Sequence, residues 1–516
     1  MPNRLTDALF QLVQSLEKAE KRNFKLYIKR NSGNEDLKII ELFDALEKIT
    51  EYDEVVLLKK LKSIQKPQLA NVKAHLYRQL LSSLRLLKTA DSIDMQLNEQ
   101  LDYARILYNK GLYHQSLKIL EKLKETAKIH YKYNFLTQVI SWEKKIESLH
   151  ITRSMLNRGE LLSNEALEVN ARVTMVSKLS NLSVRLYGWY IKNGHARTEE
   201  DEAGVKSFLQ ENMPPDAFLQ TGFYERLYLF QCYCWYAFIR QDFLMYYRYA
   251  RKWVEIFSAQ PLMIKVETGY FIKGMHNLLN AHFDLRNFTG FNKTLEQFEL
   301  FAQSDFAQKH DNHRIQSFIY INSAKLNHHF MLGTFSEGLK LVPLIEEKLQ
   351  EYELYLDPHR ILVFNYKIAN LYFGNGDYST SIDYLQKIIN GDTALRTDLQ
   401  CFARLLHLMA HYELNNDDIM ESLTKSVYRF MAKMQNLTIV EEEIFKFLKT
   451  SFQVPKSKLM PALEAFLSNI KKLENNRYQT RTFAYLDVIS WVESKVYKKT
   501  LAQIIREKYL AKQKHK

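Results

Sequence analysis

The chain predicts an all-α fold, and three observations predict it. The 516 residues include only 15 Gly and 9 Pro, too few for the turns that a sheet-rich protein of this length needs. One frame recurs: an aromatic, four intervening residues and a second aromatic, as in Tyr108 to Tyr113, Phe238 to Phe243, Phe283 to Phe288, Phe330 to Phe335 and Phe373 to Tyr378. Around the last of these, 363–390 reads as two helices joined by a tight turn at Gly374-Asn375-Gly376-Asp377. Apolar residues also fall at helical spacing, first at Leu9, Phe10, Leu12, Val13 and Leu16.

Residues 1–94 read as a basic helical cap. The first apolar stripe continues into a helix on which Lys18, Lys21, Arg22, Lys25 and Lys29 share a face. Asn31 to Asn34 breaks it. Further helices are expected over 35–49, 55–61 and 68–87, the last opened by Pro67 in a first turn. The final two lack the small residue and glycine turn of a DNA-reading helix-turn-helix, so packing is their expected role.

Helix pairs are expected over 95–435. Ala104, Gly111, Tyr113, Ser116 and Leu120 are spaced identically to Ala369, Gly376, Tyr378, Ser381 and Leu385. Alanine in the first helix lets the second approach closely. Glycine permits a positive φ at the corner. The small serine sits where the second helix presses on the first. Turns are expected near 111, 194, 241, 286, 333, 376 and 416, with two degenerate pairs filling 134–215. The acidic Glu199 to Glu202 and Pro214-Pro215 mark the least regular connection, a hinge candidate.

Residues 436–516 read as a second helical cap with a basic tail. Helices are expected over 438–451, 458–475 and 478–513. The last would bury a stripe of Trp491, Val496, Leu501, Ile504 and Ile505 against an otherwise open end of the array.

The two best copies resemble the tetratricopeptide repeat, which places a small residue, an aromatic or Leu, Gly, Tyr, Ala and a bulky residue in this order. The early Trp of that family is absent, with Gln100 and Asn365 in its place, and Ser stands for Ala. Gln241 and Arg286 replace the turn glycine in weaker copies, and Tyr246, Phe291 and Gly338 replace the small residue. The aromatics at 283, 330 and 373 follow their predecessors by 45, 47 and 43 residues, longer than the 34 of that family. Helices or connections must therefore be longer here. The resemblance implies a right-handed α-solenoid of degenerate helix pairs. The whole chain is also similar to bacterial proteins of this helical-repeat type, a likeness that implies no activity.

Composition excludes several classes. The chain is 46% hydrophobic and 25% charged, normal for a folded globular protein. Its greasiest stretch, Leu227 to Ile239, is interrupted by Gln231 and is too short to span a bilayer. Three cysteines, Cys232, Cys234 and Cys401, suit a reducing compartment. With no apolar signal-peptide core after Met1, the expected location is cytoplasmic.

Catalytic chemistry is not assembled. His407 and His411 lie one helical turn apart, but Leu408 stands where a zinc peptidase needs its Glu, and no third ligand is evident. His310, His313, His328 and His329 read as loop or packing histidines. Cys232 and Cys234 have no partner pair for a zinc ribbon. No phosphate loop, dinucleotide fingerprint or nucleophile elbow appears. The expectation is a protein that is not an enzyme and uses no cofactor or metal.

Two functions remain. The first is a protein–protein interaction scaffold that binds a peptide or partner helix in the groove of the array. By the resemblance, Tyr320, Ser323, Asn327, Tyr366, Lys367 and Asn370 would face that groove. The Lys, Asn and Asn are of the types with which some family members clamp a peptide carboxylate, although Ser323 and Tyr366 stand where a further Lys is expected. The second is association with nucleic acid through basic ends. Net charge is +13, of which residues 1–90 carry +6 and 495–516 carry +7, so the repeats between are balanced. An anionic partner would meet Lys18, Lys21, Arg22, Lys25 and Lys29, or Arg506, Lys508, Lys512, Lys514 and Lys516. The crowded aromatics of 224–249 include more hydroxyls than a helix pair buries cheaply, so some are expected to face a groove.

Overall fold

A computed structural model describes residues 7–30, 36–150, 157–353, 355–391, 396–434, 437–453, 455–474, 476 and 478–514. The regular structure of the described residues is all helix, with no strand. They divide into two compact units, 1–170 and 171–516, the division falling inside one long helix.

The first unit begins with α1 (Ala8–Ser15), α2 (Lys18–Arg30), α3 (Asp36–Glu47), α4 (Glu54–Lys60) and α5 (Lys66–Lys88). Asp7 caps α1, accepting from the backbone N–H of Leu9 and Phe10 at 3.1 Å. The stripe expected as one helix is two: Leu16 is extended (φ −71°, ψ 134°) and ends α1. The Glu20 carboxylate then accepts from the Glu17 N–H at 3.0 Å and starts α2. Pro67 does lie in the first turn of α5. Val13, Phe24, Leu42, Phe43, Leu46, Leu57, Leu76 and Leu80 form the core between these helices. The break expected at 31–34 lies outside the described residues.

Next come α6 (Ile93–Asn109), α7 (Tyr113–Ile129), α8 (Tyr133–Leu149) and α9 (Arg158–Asn193). Two pairs were expected over 134–215. Instead α9 is one helix of 36 residues, because 158–193 contains no proline and its glycines, Gly159 and Gly188, keep helical dihedrals. Ionic contacts anchor its first half to α7 and α8. Arg158 pairs with buried Glu143 at 2.8 Å, and Glu165 with Lys124 and Lys128 at 2.7 Å each. Burial pushes the Glu165 carboxyl up, but the two lysines outweigh it and hold it below its ordinary value.

The second unit takes the rest of α9, then α10 (Glu199–Asn212), α11 (Phe223–Ile239), α12 (Phe243–Ala259), α13 (Leu262–Val266), α14 (Thr268–Asp284), α15 (Phe288–Ala302), α16 (Asp305–Gln308) and α17 (Asp311–Leu332). After these come α18 (Phe335–Leu339), α19 (Val342–Glu351), α20 (Pro358–Asn375), α21 (Tyr378–Ile389), α22 (Thr397–Glu413) and α23 (Asp417–Lys433). The long repeat period has its cause here. Helices α14 and α17 have 17 and 22 residues, and the short helices α13 and α16 fill the connections. The α18–α19 break falls at Pro343, which cannot donate to the Leu339 carbonyl one turn back.

Every expected turn occurs, and each holds one residue at positive φ: Gly111, Gly194, Gln241, Arg286, Gly333, Gly376 and Asn415. In five of the seven, all but Gly194 and Gly333, the N–H of that residue reaches the carbonyl three back while the next N–H reaches the carbonyl five back. For example, Gly376 donates to Phe373 at 3.1 Å and Asp377 to Tyr372 at 2.9 Å. Tyr131 and Lys498 close two further turns in the same way, which no glycine signals. Gly333 shares only the second bond, Thr334 to His329, and Gly194 instead donates to Tyr190, four back. Asp242, Asn287 and Asp377 then cap the following helices with their side chains.

The paired serines make a specific contact. Ser116 Oγ donates to the Ala104 carbonyl at 2.8 Å, and Ser381 Oγ to that of Ala369 at 2.9 Å. All four residues are buried. The identical sequence spacing thus encodes an identical bond between helices.

The C-terminal segment comprises α24 (Ile439–Gln453), α25 (Lys456–Leu473), α26 (Thr480–Tyr485), α27 (Val488–Val496) and α28 (Leu501–Lys514). The single helix expected over 478–513 is therefore three. The chain extends at Leu486 and turns again at Lys498. Trp491, Ile504 and Ile505 are buried as expected, whereas Val496 and Leu501 are only partly so.

Gly376 has φ +85° and nothing within 4 Å of where a Cβ would stand, so Gly376→Val costs stability through backbone strain alone, about 1–3 kcal/mol. Ala369 is fully buried, so Ala369→Leu costs about 1–3 kcal/mol by overpacking. Thermal melts of both variants check this. Unchanged midpoints would remove the hairpin frame as an account of stability.

Candidate functional site

Three first helices of successive hairpins, α14, α17 and α20, supply the candidate groove residues. Their frame aligns on Phe283, Phe330 and Phe373, so Asn280, Asn327 and Asn370 occupy one register position, three residues before each aromatic. His276, Ser323 and Tyr366 occupy another, seven before.

Ser323, Asn327 and Lys367 come together. Lys367 Nζ donates to Ser323 Oγ at 2.8 Å, to the Ser323 carbonyl at 3.1 Å and to Asn327 Oδ1 at 2.5 Å. No ion pair to a described carboxylate accompanies these bonds. Burial of the ammonium lowers its pKa to about 7. Three protein acceptors satisfy the donors that a peptide carboxylate would otherwise take, so this lysine holds α20 to α17.

Tyr320 is buried beside them. Its hydroxyl accepts from the Arg360 guanidinium at 3.0 Å. The His276 ring stacks on it at 4.0 Å and 19°, and the Lys273 ammonium lies 5.3 Å from the ring centre. Burial pushes the Tyr320 phenol up, but Lys273 and Arg360 outweigh it and lower its pKa. Burial and the charges of Lys273, Lys367 and Arg360 hold His276 well below its ordinary value.

The other two expected groove residues turn elsewhere. Tyr366 is buried and donates to the Tyr485 carbonyl in α26 at 3.0 Å. Asn370 donates to the Tyr366 carbonyl at 2.8 Å, within its own helix. Sequence reasoning missed Lys273, His276 and Arg360. Carrying the register one hairpin back would have found His276 opposite Ser323. Lys273, three residues earlier, sits opposite Tyr320 in the same register.

The C-terminal segment covers part of this face. The Tyr485 ring stacks on Phe402 of α22 at 4.4 Å, and its hydroxyl meets Asp398 Oδ2 at 2.8 Å and Arg396 at 2.9 Å. Trp491 Nε1 donates to Glu413 Oε1 at 2.5 Å, and Lys495 pairs with the same carboxylate. From α28, Tyr509 packs edge-on against Phe288 at 4.6 Å. A Cβ on Gly333 would strike the backbone of Ala502.

The basic faces are partly neutralised. In α2, Lys25 pairs with Asp44 at 2.8 Å and Glu47 at 3.2 Å, and Lys21 with Glu47 at 3.5 Å. The Asp44 hydrogen bond raises the Lys25 pKa. Lys18 and Arg22 are exposed, and with Lys29 they line a shallow depression of about 470 Å³. In α28, Lys508 turns inward to buried Glu493 at 2.6 Å, shared with Lys471 at 2.6 Å. Burial pushes Glu493 up, but the two lysines hold it below its ordinary value. Arg506 lies 5.1 Å from the Tyr509 ring centre, and burial and Arg286 lower the Lys512 pKa. The Lys514 side chain and Lys516 lie outside the described residues.

Several aromatic hydroxyls expected in a groove have partners. Tyr228 meets Tyr270 at 3.0 Å, Tyr246 donates to Asn277 at 2.8 Å, and Tyr224 to Glu267. Cys232, Cys234 and Cys401 are buried thiols. Among the described residues no group of three metal-ligating side chains occurs, and no helix is long and apolar enough to cross a membrane. The His407 and His411 rings lie 4.5 Å apart, and burial lowers His407 to about 4.

Lys367 gives a pH test. Between about 7 and about 10.4 the folded lysine has lost its proton while the unfolded one keeps it. The unfolded state then binds more protons, so stability rises with pH across that window. Lys367→Met removes this contribution. Urea unfolding of both proteins at about pH 6.5 and about pH 9 reads the difference, and equal pH slopes would show that the ammonium is not desolvated.

Comparison of the chain with protein-family models, with curated proteins and with solved structures finds no match in any of the three.

Proposed function

We propose that the protein is a non-enzymatic interaction scaffold, an α-solenoid of tetratricopeptide-like hairpins that binds a helical segment of a partner across its first helices. One observation carries this reading: the face at α20 and α22 already accepts a helical segment, the chain's own α26. The contact uses a tyrosine ring stacked on Phe402 and polar bonds to Tyr366, Arg396 and Asp398. An aromatic anchor ringed by polar bonds is how a groove recognises a helix. Nucleic-acid association through the ends has less support, since Lys21, Lys25 and Lys508 are engaged by carboxylates.

Affinity capture with the full chain, with and without nuclease, tests this. Defined proteins are expected to stay bound after nuclease. Tyr485→Ala, which loosens α26 from the face while melting is monitored, is expected to raise their yield. Recovery of nucleic acid alone, released by nuclease, would overturn the proposal.

A further inference from the structure

The cations around Tyr320 are not offset. Lys273 of α14 makes no ion pair with a described carboxylate. Arg360 has one, Asp357 at 3.2 Å, whose side chain is 56% exposed. The described contacts around this cluster come from His276 of α14, from Tyr320, Ser323 and Asn327 of α17, and from Asp357, the residue that caps α20. Only one of them is an acid. Gathering like charges in a partly desolvated place costs free energy, and the cost falls when an anion enters. The charge imbalance is local, because the repeats as a whole are balanced.

The geometry also selects the anion. The Lys273 ammonium lies 5.3 Å and the Arg360 guanidinium 4.9 Å from one ring centre. Arg360 bonds the Tyr320 hydroxyl at 3.0 Å, and Lys273 lies over the ring of the same residue. An ammonium, a guanidinium and a phenol from three helices thus gather at one tyrosine. A carboxylate offers one charge and two oxygens in a plane. A phosphate offers up to two charges and oxygens in a tetrahedron, which suits donors arriving from separate directions. We propose that Lys273, Tyr320 and Arg360 form a binding site for a phosphate group, borne on a phosphorylated side chain or free in solution.

The site shares helices with the proposed groove but stands on its own charges. Phosphate binding that persists when partner capture is lost would sink the groove reading alone. Partner capture without phosphate binding would sink this one alone.

Calorimetric titration of the full chain at low salt tests it, with inorganic phosphate, O-phosphoserine and acetate as probes. Phosphate is expected to saturate one site per chain, and acetate to show no saturable binding. Binding of O-phosphoserine at the same site identifies a phosphorylated side chain as the source, and binding of inorganic phosphate alone identifies the free ion; either supports the site. Lys273→Gln, at a partly exposed position, is expected to weaken phosphate binding by about tenfold or more. Arg360→Gln is the second variant, should the first not fold. Absence of saturable phosphate binding, equal binding of acetate, or phosphate affinity unchanged in a folded variant would overturn the proposal.

Discussion

Each hairpin closes on a single residue held in the left-handed region, and the helix pairing depends on it. In all of these turns but Gly194, that residue lets two successive N–H groups turn back to carbonyls at the end of the first helix, which would otherwise be left without partners. The chain leaves in the direction that brings the second helix back along the first. Glycine accepts this conformation at no steric cost. A side chain pays about 1–2 kcal/mol, and two of the non-glycine turns show contacts that offset it. The Arg286 guanidinium lies over Phe283 at 5.0 Å. The Gln241 side chain donates to the Ala196 carbonyl at 3.2 Å, tying its turn to the one after α9.

With the turn set, helix separation is decided by small residues at the seam. Ala104 and Ala369 admit the second helix, and the serines opposite donate to their carbonyls. Elsewhere Gly338 takes the serine position, and a Cβ there would press into Leu371 of α20. The weaker copies are therefore different packings of one hairpin geometry.

The C-terminal segment uses a different physics. Glu413 and Glu493 are carboxylates buried at helix contacts, each with a lysine partner. Removing one member of such a pair leaves a buried charge uncompensated, so the pairs define where α27 and α28 rest. They also withdraw Lys495 and Lys508 from the basic tail. A charge sum along the chain cannot see this, because it counts a lysine equally whether it meets water or a buried carboxylate.

By itself the sequence determined the helical class, the turns and the Ala–Ser seam. These depend on contacts a few residues apart and on residue types with few alternatives, such as Gly376 at a positive φ. It did not show that 158–193 is one helix, since a continuous helix and a degenerate pair leave the same apolar periodicity. Turns at Tyr131 and Lys498 were equally hidden, because no glycine or asparagine marks either positive φ. For the candidate site, the register pointed to Ser323, Asn327 and Lys367. Only tertiary structure decided that they bind one another, that Tyr366 belongs to Tyr485, and that Lys273 and Arg360 meet at Tyr320. Those outcomes depend on how adjacent hairpins stack and on where a segment over a hundred residues away comes to rest, and no local spacing records either.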